Sequence, residues 1–209
     1  MKRELFYTGV RDIEREMIFT ALDNFESPIY TEIGVQYGGT FQKVLQYMDI
    51  NFDTYHAYGI DLFEEAWLEE KNFKIGWPKR TQTHDIGGDF GLNVSSEQQL
   101  DEALRDIGFK NFTLMKGYSD NVIQKIPDEI DVIFIDGNHT YNQTKKDFTN
   151  CFKKSKVGTF FMLHNTTEDE YKEFYRDGGP YKLCNEIAED ERLEYIGMSH
   201  TTKSFRRIK

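Results

Sequence analysis

Residues 134–148 read FIDGNHTYNQTKKDF, and within them Asp136, His139 and Tyr141 follow directly on the apolar run 133–135. A carboxylate, an imidazole and a phenol released together from a strand end can move a proton, hold a cation or orient a hydroxyl. A second group closes the segment TFFMLHN (159–165), which ends in His164 and Asn165. A third group is TEIGVQYGGT (31–40), where Glu32, Gly34, Gly38 and Gly39 lie between an apolar run and a helical one. Glycines let the backbone approach a ligand closely, and a helix start favours an anionic group. The spacing is G-x-x-x-G-G, not the G-x-G-x-x-G of dinucleotide binders. Asp61 follows 22 residues after Gly39, at the end of YHAYGID. A carboxylate in that place can accept both hydroxyls of a ribose.

Such groups act together only if the chain brings them to one edge. Val10, Ile13, Met17 and Ala21 repeat at helical spacing and predict a first helix over about 9–23. IYTEIGV (29–35) reads as a buried strand after Pro28, and Phe41, Val44, Leu45 and Met48 share a face of the next helix. YHAYGID ends a second strand, FTLMKG (112–117) is a third, IDVIFID (130–136) a fourth and TFFMLHN a fifth. Ser96 and Gln99 form a capping box before Leu100 and Leu104. Further helices are expected over 119–126, over about 141–156, and from Pro180 to about Arg192. The ending LEYIGMS-HTTK-SFRRIK reads as an antiparallel hairpin. Strands alternating with helices make a mostly parallel sheet covered on both faces, which binds ligands at the carboxyl ends of its strands. Glu32 and Gly34, Asp61, residues 117–120, 136–139, and His164 with Asn165 all fall at that edge.

Residues 62–94 interrupt the alternation with Trp67, Trp77, His84 and HDIGGDFG. A segment of that length is expected to form a lid over an acceptor or a satellite hydrophobic cluster. Asp147 and the pairs Lys145/Lys146 and Lys153/Lys154 are expected on a solvated helix face, and Thr167 with Glu170 as a capping box. Cys184 is expected in the core beside Ile187, and Arg206 and Arg207 as charges that blunt a sheet edge.

Composition narrows the classes. The 209 residues allow one domain with a full core, and 38% hydrophobic content with 15% aromatics is globular. A net charge of -10 and a pI of about 5.0 disfavour a nucleic-acid partner. No run approaches the roughly 20 apolar residues of a membrane span. MKRELFYTGVRDIERE lacks the apolar core of a secretion signal, so a cytoplasmic location is expected. Cys151 and Cys184 show no CxxC spacing and indicate neither a disulfide framework nor a thiolate zinc site. The expected partner is a small-molecule acceptor, and a homodimer stays open.

Taken together, Glu32-x-Gly34-x-x-x-Gly38, Gly59-Ile60-Asp61 and Phe134-Ile135-Asp136-Gly-x-His139-x-Tyr141 resemble class I S-adenosylmethionine (SAM)-dependent methyltransferases. The nearest group is the small-molecule branch with macrocin-type sugar O-methyltransferases and cephalosporin-hydroxylase-like proteins. The resemblance covers about 29–208 and leaves the first helix (within 1–28) and the 62–94 insertion as features of this chain alone. It implies one Rossmann-like three-layer α/β domain over 1–209, with a mostly parallel seven-stranded sheet and an antiparallel C-terminal strand. It further implies that Gly34 and Gly38 face the methionine part of SAM, that Glu32 supports their turn, and that Asp61 holds the ribose. Tyr118 and Ser119, with Asp120, would flank the adenine. Gln36 stands where the family commonly has another glycine, one that the sugar branch often lacks too. Metal-dependent relatives bind a divalent cation through the acid at Asp136 and the positions of His164 and Asn165, where they carry two carboxylates or Asp-Asn. The implied reaction is O-methylation of a small hydroxylated acceptor, such as a sugar or sugar-bearing metabolite. His139 would be the base, and Asp136 a metal ligand or polarising group, with Mg, Mn or Fe as the ion.

Three other classes use the same residues. A nicotinamide oxidoreductase would share the fold type but lacks its glycine fingerprint. A metal-dependent oxygenase or hydroxylase would use Asp136, His139 and His164. A SAM-binding module without catalysis would explain the unusual His164-Asn165 pair.

Overall fold

In a computed structural model of the chain, residues 8–63, 96–169 and 178–209 are described. Nearly all of the 62–94 insertion, with Trp67, Trp77 and His84, lies outside them, as does Glu170. Helix α1 (Asp12–Leu22) starts after Arg11, whose backbone N–H donates to Glu14 at 3.0 Å. Strand β1 (Ile29–Ile33), helix α2 (Gly39–Asn51) and strand β2 (His56–Asp61) follow. Helix α3 (Glu97–Ile107) is capped by Ser96 Oγ, which accepts from the Gln99 N–H at 3.2 Å, and leads to β3 (Phe112–Lys116). The helix expected over 119–126 is one turn, α4 (Ser119–Val122), continued by the 3-10 turn Ile123–Lys125.

Strand β4 (Ile130–Ile135) passes through a polar turn into α5 (Tyr141–Lys154). β5 (Ser155–Leu163) then begins earlier than expected and stops just before His164. Helix α6 (Gly179–Ile187) has Pro180 in its first turn and ends short of Arg192. Arg192 instead folds onto Asp190, to which its backbone N–H and Nε donate at 3.0 and 2.9 Å. Strands β6 (Leu193–Ser199) and β7 (Thr202–Arg207) complete the chain.

The seven strands form one sheet in the order β3-β2-β1-β4-β5-β7-β6. β1 to β5 run parallel, and β7 inserts antiparallel between β5 and β6. Arg206 and Arg207 therefore sit on an interior strand, not at an edge. The Arg207 guanidinium donates to the Ser155 carbonyl at 2.6 Å and lies over the Phe152 ring.

Alternate residues of each strand feed opposite cores, as the period of two requires. Val132, Phe134, Phe160 and Met162 pack with Ile18, Leu22, Phe41, Leu45, Leu100 and Leu104 from α1, α2 and α3. Ile133, Ile135, Phe161 and Leu163 pack with Phe148, Cys151, Leu183, Cys184 and Ile187 from α5 and α6. The result is helix, sheet, helix. The stripe of α1 is rotated from its expected phase: Ile13 is 57% exposed, and Val10, Glu14, Ile18, Ala21 and Leu22 face inward.

Candidate active site

The strand order reverses between β1 and β4, and in open parallel sheets the crevice beyond that point binds ligands. Backbone hydrogen bonds lock the row of residues bordering it. Gly34 N–H donates to Ile60 O (2.9 Å), Asp136 N–H to Ile33 O (2.8 Å), His164 N–H to Ile135 O (3.1 Å) and Gly117 N–H to Asp61 O (2.9 Å). Each expected edge segment thus stands at one end of the sheet, in register with its neighbours.

The glycines of the first turn have packing reasons. Gly34 has φ +94°, and a Cβ there would lie 2.1 Å from the Asp136 carbonyl oxygen. Gly38 caps α2 at φ +82°, and its Cβ would meet Leu100 Cδ1 at 2.6 Å. Both positions bring β1 and the start of α2 close to their neighbours. Asp61 is tied to the same turn: Oδ2 accepts from the Gln36 N–H at 2.8 Å, and Oδ1 from the Phe63 N–H at 2.6 Å. Burial raises the Asp61 pKa, against the lowering effect of those amides. Glu32 lies beneath, 1% exposed, and accepts the Tyr30 hydroxyl at 2.7 Å. Burial pushes its carboxyl well above the usual range, with the negative Asp136 and Asp61 adding to the effect. A carboxylate, a glycine turn at a helix start and the 49%-exposed Tyr118 ring make a donor set that fits a nucleoside with a charged tail.

Ser119 is turned away from that edge. Its Oγ donates to Asp147 Oδ1 at 2.5 Å, and the Gln143 amide donates to the same carboxylate oxygen at 2.9 Å. Asp120 faces α5 as well, accepting from the Asn150 amide at 3.2 Å. Asp147, expected on a solvated face, is 1% exposed. Burial pushes its carboxyl up to about 6, beyond what Ser119 and Gln143 counteract.

The DGNHTY turn divides. Asn138 Oδ1 accepts the Thr140 N–H at 2.9 Å, and Thr140 caps α5. The Tyr141 hydroxyl reaches Glu186 on α6 at 2.6 Å and so braces two helices away from the crevice. His139 and Asp136 remain at the lip, with Nε2 to Oδ1 at 3.1 Å; His139 Nδ1 is enclosed by protein. The same Asp136 oxygen meets His164 Nδ1 at 2.9 Å, and His164 Nε2 lies 3.5 Å from Glu14 Oε1. Burial alone would lower the His164 pKa, but Asp136 and Glu14 outweigh it and raise it to about 10. Burial raises the Asp136 pKa, but His164 and His139 together bring it down to about 2.

Asn165, the third expected metal ligand, follows His164 in a left-handed conformation (φ +56°). An imidazole between Asp136 and Glu14 is favoured in its doubly protonated form, which offers a metal no lone pair. No group of three or more His, Cys, Asp or Glu suited to a metal occurs among the described residues. Asp136, His164 and Asn165 do not fit a divalent ion in this arrangement. Glu14 is the residue that sequence reasoning missed. The signal was an acid bracketed by Val10, Ile18 and Leu22 at helical spacing.

A family model described as "Methyltransferase domain" matches residues 31–166. A search of the curated proteins found no match. Among solved structures, the chain is similar to the O-methyltransferase TomG from Streptomyces achromogenes in complex with SAM. Identity is 12% and the TM-score 0.65, over 96% of this chain and 82% of that one. It is also similar to an O-methyltransferase from Bacillus cereus in complex with SAH (15% identity, TM-score 0.63, 98% and 84% covered). A third is an rRNA methylase from Streptococcus thermophilus (12% identity, TM-score 0.58, 97% and 100% covered). At these identities the likeness is one of fold. No described helix is long and apolar enough to cross a membrane.

Proposed function

Since the chain belongs to the methyltransferase-domain family, we propose that this SAM-dependent enzyme methylates a hydroxyl oxygen of a small acceptor, such as a sugar or sugar-bearing metabolite. The observation that carries the reading is the Asp136–His139 contact of 3.1 Å at the crevice, one strand from Gly34 and two from Asp61. A net charge of -10 opposes a polyphosphate acceptor.

When bound, SAM supplies an electrophilic methyl group whose transfer to an alcohol leaves a thioether and a proton. Asp61 and the Gly34–Gln36 turn would hold the ribose and the methionine tail, and Tyr118 would offer its ring to the adenine. Ser119 contributes through the backbone it fixes, because its hydroxyl is committed to Asp147. The His139 imidazole, held at the lip by Asp136, takes the acceptor's proton. No step passes through a metal. An oxygenase on Asp136, His139 and His164 has no observation in its favour.

Thermal unfolding with S-adenosylhomocysteine, with NADH and with neither tests the cofactor. A ligand at about 100 times its Kd adds about 2.7 kcal/mol, or about 5–11 °C for a domain of this size. A shift with NADH alone would overturn the reading. Transfer of labelled methyl to a panel of sugars then tests the acceptor class.

A further inference from the structure

Transfer to a hydroxyl is helped by a fixed positive charge near the oxygen that gives up its proton, and a divalent ion is one source of it. At this edge the position after β5 carries His164, 8% exposed, with each ring nitrogen facing a carboxylate. Carboxylates accept and do not donate, so a ring with Asp136 2.9 Å from Nδ1 and Glu14 3.5 Å from Nε2 is favoured as the doubly protonated cation. Glu14 is built to remain the acceptor. It is fully buried, and Oε1 receives the Thr201 N–H at 3.1 Å and the Thr201 and Thr202 hydroxyls at 2.9 Å each. Oε2 receives the Arg11 N–H at 3.0 Å, and His200 Nδ1 stands 3.6 Å from Oε1. Burying an ionised group costs several kcal/mol unless its partners repay it. The α1–β7 junction supplies those partners from outside the span 31–166 that the family model matches.

We propose that His164, paired with Glu14, takes the place of a divalent cation: it is the fixed positive group that holds Asp136, and through it His139, at the lip. Glu14 is then a positioning residue that acts through His164 and touches no substrate. Helix α1 becomes part of the active site instead of an appendage to it. The inference rests on the reading of Asp136 and His139 as the reactive lip.

The test uses the full chain with 15N-labelled histidine, and Mn2+ as the metal probe. Wild type should bind no Mn2+, by electron paramagnetic resonance, that Asp136→Asn removes, and both His164 nitrogens should show N–H shifts. Mn2+ held equally by wild type and Asp136→Asn sits on other carboxylates and keeps wild type in this supporting class. Glu14→Gln, a near-isosteric change, should move the His164 Nε2 resonance. Mn2+ binding abolished by Asp136→Asn, a bare His164 nitrogen, or an Nε2 resonance indifferent to Glu14→Gln would each overturn the proposal. S-adenosylhomocysteine calorimetry on the same samples separates the two readings. Heat with an Asp136-dependent Mn2+ site sinks only this inference, and absence of heat sinks the cofactor reading beneath it.

Discussion

Gly34 and Asp136 meet so closely that a Cβ on the glycine would lie 2.1 Å from the Asp136 carbonyl oxygen. The contact joins the ends of β1 and β4, where the crevice opens. Gly34→Ala should therefore cost more than the usual strain of a positive φ, on the order of 3 kcal/mol or more. Gly38→Ala should cost less, because the atom it meets is the end of the Leu100 side chain. Urea unfolding of the two variants checks the order, and equal losses would mean that the strand ends can separate.

His139→Ala should leave S-adenosylhomocysteine affinity unchanged and lower methyl transfer to a responsive acceptor by about 10²–10⁴-fold. Its ring touches Asp136 at the lip, one strand from Gly34 and two from Asp61. Unaltered turnover would remove His139 from the base role.

Tyr118 is half exposed at the end of β3 and contributes its ring to neither core. Tyr118→Ala should weaken S-adenosylhomocysteine binding by about tenfold, since stacking on a base is worth about 1–3 kcal/mol. Calorimetry gives the Kd. Unchanged binding would place the adenine elsewhere.

Asp147 makes stability depend on pH in a defined direction. Its carboxyl is raised from 3.8 to about 6 by burial, so the folded state binds the proton more tightly than the unfolded chain does. The favourable contribution is complete below the ordinary pKa, is lost as pH rises through about 6, and stays lost above it. Asp147→Asn keeps a neutral group there at all pH values. It should gain on wild type by on the order of 2 kcal/mol between pH about 4 and 7. Urea midpoints of both proteins across that range test the sign, and parallel curves would show that Asp147 is not strained by ionisation.

Much of the molecule was legible beforehand. Apolar runs bounded by glycine and proline gave the strands, helical spacing gave the covering helices, and their alternation forces the parallel sheet. A parallel sheet sends every strand's carboxyl end to one side, so Gly34, Asp61, Asp136 and His164 were bound to share an edge. Periodicity does not fix the phase of a short helix, however. In α1 the series through Ile13 and Met17 competes with the series through Glu14 and Ile18, and docking against α2, the sheet and the β6–β7 hairpin chose the second. That choice buried Glu14 and made a carboxylate the partner of His164. In the same way, the packing of α5 against α4 buried Asp147, and the insertion of β7 between β5 and β6 made Arg207 an interior brace. A side chain's type sets which bonds it can form. Which partner it meets depends on residues far away in the chain, and only the folded chain brings those within hydrogen-bond distance.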